Sequence, residues 1–286
     1  MSTTPDAKVR RPRSRAQKQK AMEQLANGSD TADNDALGVQ AFERGLAVIR
    51  AFVNQDRALT ISDVAEITQL SRATVRRLLG SLVRLHYART DGQSFQLTPT
   101  ILELGYAYLS SNQFWERVQP YMHDVVRELN ESCSLGILEL PNVVYVARVP
   151  AQRIVLNIAI NIGTKIPASV SSMGRLLLAY QPRDVVLQYL EQHPLQAYTP
   201  RSVTDTQEFL EILDRAQADG WVLVDEEMEI GLRSIAVPLR NRRGDVIAAM
   251  NVGAPTSRAS VEHMVSRFLP VIREAANRAN HALSLG

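Results

Sequence analysis

The clearest hydrophobic pattern in the chain lies in residues 59–84, LTISDVAEITQLSRATVRRLLGSLVR. Its second half repeats apolar side chains at i, i+3, i+4 and i+7, which predicts one buried stripe on a helix: Val75, Leu78, Leu79 and Leu82. Ser71 can cap that helix, and Thr60 or Ser62 can cap a shorter one before it, because their hydroxyls accept from free backbone N–H groups. Two short helices joined by a tight turn are predicted, which is a helix-turn-helix.

The polar face of the second helix carries arginines beside small residues. At about 100° per residue, Ala73, Arg77, Gly80 and Arg84 lie opposite the apolar stripe, with Thr74 and Arg76 on its flanks. Small residues allow close approach, and guanidinium groups pair with phosphate or with guanine edges in the major groove. The alternative is an ordinary helix pair with a solvated arginine face.

The flanking patterns favour a winged helix-turn-helix over residues 39–98. Residues 87–90 and 95–97 alternate around the turn 91–94, which predicts a hairpin directly after the second helix. Upstream, apolar positions predict a further helix that completes a three-helix core: Phe42, Leu46, Val48, Ile49, Phe52 and Val53.

The remainder of the chain mixes helical and strand patterns. A linker helix over 99–113 starts at a proline, and 114–286 is predicted to form an α+β domain. Its predicted strands are 134–140, 143–149, 153–160, 221–224, 234–239 and 246–252, and its predicted helices are 114–131, 171–180, 183–191, 205–219 and 257–283.

The net charge of +2 conceals a strongly basic start of the chain. Residues 1–38 have little to bury and are predicted to be a disordered tail, either a solvated extension or an attractor of phosphate. Seven basic residues lie in its first twenty positions: Lys8, Arg10, Arg11, Arg13, Arg15, Lys18 and Lys20. One cysteine excludes an internal disulfide, and no apolar run approaches the roughly twenty residues of a membrane span, so a cytoplasmic protein without a membrane partner is expected.

Four segments resemble the IclR family of transcriptional regulators over residues 39–284. They are AFERGLAVI at 41–49, SRATVRRLL at 71–79, SSMGRLLL at 171–178 and GWVLVDEEMEIGLRSIAVP at 220–238. Within the family, GLRSIAVP at 231–238 and AAMNV at 248–252 are similar to the branch that controls aromatic-acid catabolism through the β-ketoadipate pathway.

The resemblance implies a GAF-like effector-binding and oligomerisation domain at 114–286, a small organic-acid effector, and a homodimer that pairs into a dimer of dimers on double-stranded operator DNA. The positions expected to contact DNA are Arg44, Ser71, Arg72, Thr74, Arg76 and Arg77. By position, Ser234 and Asn251 are expected to present polar groups to the effector.

Two further features of the second domain suggest how a carboxylate is held. Ser171, Ser172, Met173 and Gly174 open a helix, whose N–H groups and dipole favour an anion. Arg148, near a strand end, is either a bidentate partner of a second carboxylate or a member of a surface ion pair.

An enzyme with an accessory DNA-binding module is the competing hypothesis. It depends on an acidic cluster after a predicted strand, which is more typical of a solvated loop or of partners for Arg233: Asp225, Glu226, Glu227 and Glu229. The histidines lack metal-ligand spacing and there is no glycine-rich phosphate loop. We therefore expect no catalytic residue, no metal and no cofactor.

Overall fold

The computed structural model describes residues 32–111, 114–151 and 160–284. The chain divides into two compact units, with the boundary between Ala107 and Tyr108. Residues 32–38, which were predicted as part of the tail, belong to the first helix, whereas 1–31 lie outside the described residues. The strand predicted at 153–160 also lies outside them, except for Ile160, which is not in a strand.

Three helices form the first unit: α1 (Ala32–Arg50), α2 (Ile61–Thr68) and α3 (Arg72–Arg84). Thr60, rather than Ser62, caps α2, and its hydroxyl accepts from Asp63 N at 3.2 Å while the Asp63 carboxylate accepts from Thr60 N at 2.7 Å. Ser71 caps α3 and accepts from Thr74 N at 3.2 Å. These bonds satisfy N–H groups that a helix start leaves free, so the predicted helix-turn-helix is confirmed.

The predicted hairpin is part of a three-stranded sheet. Strand β3 (Ser94–Leu97) lies between β2 (Ala88–Thr90) and β1 (Leu59–Thr60). Asp91 accepts from Ser94 N at 2.7 Å and from Gln93 N at 2.9 Å, and these bonds lower the pKa of its carboxyl to about 2. The two-residue β1 ties the wing to the start of α2.

The core of the first unit contains Val48, Leu59, Val64, Val75 and Leu79, all fully buried. Two of the residues predicted to be in this core are exposed, Phe42 by 69% and Val53 by 62%. The helix buries the face of Val48, and Phe42 lies about 120° away from it around the helix, while Val53 lies beyond the last helical residue, Arg50.

The predicted linker helix starts with a 3₁₀ turn (Pro99–Ile101) and continues as α4 (Leu102–Ser111). Residues 112–113 lie outside the described residues. Along α4, large apolar side chains are exposed: Leu102, Leu104 and Tyr106.

Strands of the second unit form an antiparallel sheet in the order β6-β5-β4-β9-β8-β7. They are β4 (Cys133–Glu139), β5 (Asn142–Val149), β6 (Lys165–Pro167), β7 (Val222–Asp225), β8 (Leu232–Arg240) and β9 (Val246–Pro255). The short β6 was not predicted.

Helices cover both faces of this sheet. One core includes α5 (Phe114–Leu129) and α10 (Leu269–Ser284), and the other includes α6 (Ser172–Ala179), α7 (Arg183–Gln192) and α8 (Thr206–Asp219). The helix predicted at 257–283 consists of α9 (Val261–His263), a π-helical turn (Met264–Phe268) and α10. The predicted α+β class is confirmed. Of the helices that the structure describes, none is both long and apolar enough to cross a bilayer.

Candidate nucleic-acid interface and ligand-binding cavity

The exposed face of α3 presents three arginines. Arg72, Arg76 and Arg77 are exposed, and none forms an ion pair with a residue that the structure describes. Thr74 is half-buried, and its hydroxyl lies 2.9 Å from that of Ser71, so both hydroxyls support the helix start. Arg44 is half-buried on α1. The face offers guanidinium donors on a rigid helix, which suits phosphate and base edges.

The wing adds an arginine that sequence reasoning did not select as a contact. Arg89 on β2 is exposed, and its guanidinium donates to Gln96 Oε1 at 2.6 Å and 3.2 Å. The two residues are cross-strand neighbours, and the bonds hold the guanidinium over the outer face of the hairpin. Its place in the hairpin directly after α3 is the sequence feature that could have identified Arg89 as a DNA contact.

The second unit contains a cavity between the sheet and the start of α6. The space without protein atoms at this place is about 570 Å³, a figure that includes solvent at the open mouth. One part of its wall is polar: Ser132, Ser134, Tyr145, Arg148, Ser171, Ser234 and Asn251. The other part is apolar: Ile160, Ile166, Val170, Val224, Met228 and Leu232.

Arg148 is the cation of the described cavity wall. It is half-buried, and its guanidinium donates to Ser132 Oγ at 3.1 Å and to Ser134 Oγ at 3.3 Å. Burial lowers the pKa of this guanidinium, but an arginine stays protonated in proteins. No described carboxylate pairs with it, and residues 152–159 include no acidic residue. The surface-ion-pair alternative therefore has no partner among the described residues.

Hydroxyl and amide groups continue the polar wall beside Arg148. The Tyr145 hydroxyl is hydrogen-bonded to the side chains of Asn251 and Ser171, and burial raises its pKa to about 12. Ser234 Oγ donates to Ser172 Oγ at 2.9 Å, and Asn251 Nδ2 lies 3.5 Å from the same oxygen. The strands bring these groups together because their side chains point to one sheet face.

The predicted effector residues divide between the cavity wall and the core behind it. Arg148, Ser171, Ser234 and Asn251 line the cavity, and Ser172 is fully buried behind Ser234. Met173 and Gly174 do not line it.

Packing explains why Met173 and Gly174 do not line the cavity. Met173 is fully buried against Gly136, and a Cβ on Gly174 would lie 2.4 Å from the backbone of Ala168. The N–H of Gly174 is already capped by Ser171 Oγ at 3.4 Å. The start of α6 is therefore less open to an anion than the sequence suggested.

Sequence reasoning missed several cavity residues, namely Ser132, Ser134, Tyr145, Met228 and Leu232. Ser134 and Tyr145 could be found as polar groups inside apolar strand patterns. Met228 and Leu232 carry no such signal, because apolar residues next to a strand are usually core.

Three of the four carboxylates in the acidic cluster are ion-paired, whereas Glu229 Oε2 is buried and has no hydrogen-bond partner among the described residues. Asp225 accepts from Arg233 Nε at 2.7 Å, Glu226 lies 3.1 Å from Arg201 Nη1, and Glu227 accepts from Arg175 Nη1 at 2.6 Å. No group of three His, Cys, Asp or Glu side chains that could hold a metal ion occurs within 32–111, 114–151 and 160–284.

Two family models match the chain. The model described as IclR helix-turn-helix domain matches residues 41–92, and the model described as Bacterial transcriptional regulator IclR C-terminal matches residues 106–281. The chain therefore belongs to the IclR family of bacterial transcriptional regulators, as its sequence motifs predicted. It is a DNA-binding regulator and not an enzyme.

Curated relatives and a solved structure cover most of the chain. The Pca regulon regulatory protein of Pseudomonas putida is 37% identical over 88% of this chain and 86% of its own length. The p-hydroxybenzoate hydroxylase transcriptional activator of Acinetobacter baylyi is 34% identical over 84% and 90%. An IclR homologue from Microbacterium hydrocarbonoxydans, solved in complex with 4-hydroxybenzoate, superposes with a TM-score of 0.77 at 26% identity, covering 86% of this chain and 100% of its own.

Proposed function

We propose that this protein regulates genes of aromatic-compound catabolism by binding operator DNA and responding to a small aromatic acid. The observation that carries the ligand class is Arg148, a half-buried cation of the cavity wall that contacts hydroxyls and no described carboxylate. A half-buried charge without a counter-ion is costly, so an acid entering the cavity would gain the missing pair. The names of the relatives and the 4-hydroxybenzoate complex support the same class.

The cavity favours one carboxylate over two. Its described wall has a single cation beside hydroxyl groups, and the other part is apolar. A ring with one carboxylate satisfies both parts, whereas a second carboxylate would be desolvated against isoleucine, valine and methionine side chains. The effector is therefore an aromatic monocarboxylate held by Arg148, Ser171, Ser234 and Asn251, with Ser172 positioning Ser234, and it needs neither metal nor cofactor.

Calorimetric titration with benzoate, 4-hydroxybenzoate and the dicarboxylate terephthalate tests this assignment. The two monocarboxylates should bind and terephthalate should bind at least tenfold more weakly. Arg148→Met should remove the binding, whereas Arg183→Met, which changes an exposed arginine paired with Asp214, should leave it unchanged. Equal affinities for all three acids, or full binding by Arg148→Met, would contradict the proposal.

DNA binding is assigned to α3 and the wing of the first unit. Arg72, Arg76 and Arg77 are the proposed base or phosphate contacts, Ser71 and Thr74 hold the helix start near the backbone, and Arg44 adds a phosphate contact. Operator binding measured with and without benzoate should differ in affinity. Such a regulator acts on cytoplasmic DNA.

A homodimer is proposed for the free protein, and a dimer of dimers for the operator complex. The first unit exposes large apolar side chains on α1 and α4, including Phe42 by 69%, Leu102 by 71% and Tyr106 by 68%. Exposed apolar patches of this kind favour association with a second copy. Sedimentation velocity should give a dimer without DNA, and Leu102→Asp should shift it to monomer. A wild-type monomer at micromolar concentration would refute the dimer.

A further inference from the structure

Arg175 of α6 is completely enclosed and makes polar contacts with two separate chain segments. It is 1% exposed, and its Nη1 and Nη2 atoms donate to the two carboxylate oxygens of Glu227 at 2.6 and 2.5 Å. Its Nε donates to Ser169 O at 2.7 Å, and its guanidinium lies 5.4 Å from the centre of the Phe209 ring. A forked pair of this geometry fixes both distance and orientation.

Both segments that Arg175 contacts form walls of the ligand cavity. Ser169 precedes Val170 and Ser171, which line it, and Glu227 precedes Met228, which lines it from the loop at 226–231. Arg175 itself does not reach the cavity. The ion pair therefore connects two parts of the wall from behind.

The 226–231 loop is held further by the segment at 199–203. Thr199 Oγ1 donates to Glu226 O at 2.7 Å, Ser202 Oγ donates to Glu227 O at 2.6 Å, and Val203 N donates to Glu227 Oε2 at 3.0 Å. Glu226 adopts a left-handed backbone conformation with φ of 58°, which an ordinary residue takes only when neighbouring contacts impose it. The position of Met228 thus depends on these polar bonds as well as on its packing against the core.

We propose that Arg175 and Glu227 are positioning residues that set the width of the effector cavity and thereby its ligand selectivity. This inference rests on the proposed function, because it assumes that the cavity holds an aromatic acid. Lysine at position 175 keeps the charge but cannot bind the carboxylate with two N–H groups and Ser169 O at the same time. The loop would then move away from the 168–171 segment and Met228 would no longer close on the ring.

The second unit supplies a matched control in Arg233. It is 8% exposed, its Nε donates to Asp225 Oδ1 at 2.7 Å, and its Nη1 donates to Ala259 O at 2.6 Å. It has the same chemistry as Arg175, a carboxylate plus a backbone carbonyl. Because Ser234 and Val224 face the cavity, the alternation of strand side chains directs Arg233 and Asp225 to the opposite sheet face.

The test compares Arg175→Lys, Arg233→Lys and the wild-type protein by calorimetric titration with benzoate and 4-ethylbenzoate. We expect both substitutions to lower the melting temperature. Only Arg175→Lys should weaken the binding of benzoate, by at least tenfold. The same substitution should change the ratio of the two dissociation constants at least fivefold in favour of the larger acid. A ratio within twofold of the wild-type value would overturn the proposal, since a merely structural role lowers stability without changing selectivity.

A milder variant and a ligand-independent readout cover the remaining outcomes. Thr199→Val removes the hydrogen bond to Glu226 O at nearly constant volume. It should shift the ratio of the two dissociation constants in the same direction even where Arg175→Lys does not fold.

Amide hydrogen exchange without ligand gives a second measurement. Arg175→Lys or Thr199→Val should speed exchange in both 168–172 and 226–231, whereas Arg233→Lys should leave exchange in 168–172 unchanged. If wild-type protein binds neither acid, the proposed function fails, and the exchange pattern still decides whether the pair holds the two walls together. Unchanged exchange in both segments would refute that as well.

Discussion

The arginines of α3 and those of the second unit differ in where their partners come from. Arg72, Arg76 and Arg77 are exposed and form no ion pair with a described residue, and DNA is their proposed partner. Arg175 and Arg233 are buried, and each contacts a carboxylate and a backbone carbonyl of the same chain. The arginines without an internal carboxylate are therefore the proposed binding groups, and those with one connect parts of the second unit.

Arg148 is intermediate between these two groups. It is half-buried like a structural arginine, but its hydrogen bonds to described residues go to two serine hydroxyls, and it lies on a cavity wall. Its missing counter-charge makes it resemble the arginines of α3, although it belongs to the second unit. Burial therefore does not separate the two roles, whereas the presence of an internal carboxylate does.

The largest effect is expected on the stability of the second unit, when the carboxylate partner of a buried arginine is removed. Glu227→Ala should lower the free energy of unfolding of the second unit by about 3–5 kcal/mol, because it leaves Arg175 charged and unpaired in the core. Arg76→Ala, on the exposed face of α3, should change stability by less than about 0.5 kcal/mol. Urea denaturation of both variants measures the contrast. A loss below about 1 kcal/mol for Glu227→Ala would show that water or a neighbour replaces the pair.

The next largest effect is expected on ligand affinity, when a residue with a hydroxyl group in the cavity wall is replaced. Ser234→Leu removes the donor to Ser172 and adds bulk in the cavity. It should weaken benzoate binding by about 2–3 kcal/mol, since a hydrogen bond is lost and the ring position is occupied. Operator affinity without ligand should stay within a factor of two, because the recognition helix is in the other unit. Retention of the full ligand-induced thermal shift would show that the effector binds away from Ser234.

The third effect tests whether an exposed arginine reads bases. Arg77→Ala should cost about 1–3 kcal/mol in binding to the operator and much less in binding to random DNA, if its guanidinium contacts a base edge. Fluorescence anisotropy on both DNA sequences at one salt concentration measures the difference. Equal losses on operator and random DNA would assign Arg77 to phosphate instead.

The smallest effect concerns the basic start of the chain. Deletion of residues 1–31, which end before α1, should leave folding and ligand response intact and flatten the dependence of log K on log salt by about 0.9 for each phosphate that the tail neutralises in the full-length protein. The seven basic residues among the first twenty motivate this expectation. The experiment compares the slopes of full-length and truncated protein on one duplex, and identical slopes would exclude a role for the tail in DNA binding.

The amino-acid sequence by itself determined the elements whose signals are local. The apolar spacing of Val75, Leu79 and their neighbours, the caps at Thr60 and Ser71, and the turn at Asp91 predicted the helix-turn-helix and wing, because helix periodicity, capping and turn chemistry act over three or four residues. The arginine face of α3 follows from the same periodicity. The family motifs also predicted the class of the second domain.

Only the tertiary structure decided which residues share the cavity and which pair in the core. Ser134, Tyr145, Met228 and Asn251 come from three strands and a loop, and no local pattern brings them together. Arg175 and Glu227 are 52 positions apart. Because several carboxylates are adjacent in the acidic cluster, the sequence does not show which of them pairs with Arg175. Met173 and Gly174, in contrast, looked like binding residues and are packing residues. Long-range contacts depend on how sheet and helices pack. This is the physical reason why the sequence indicated the ligand class, whereas only the structure brings the residues of the proposed site together.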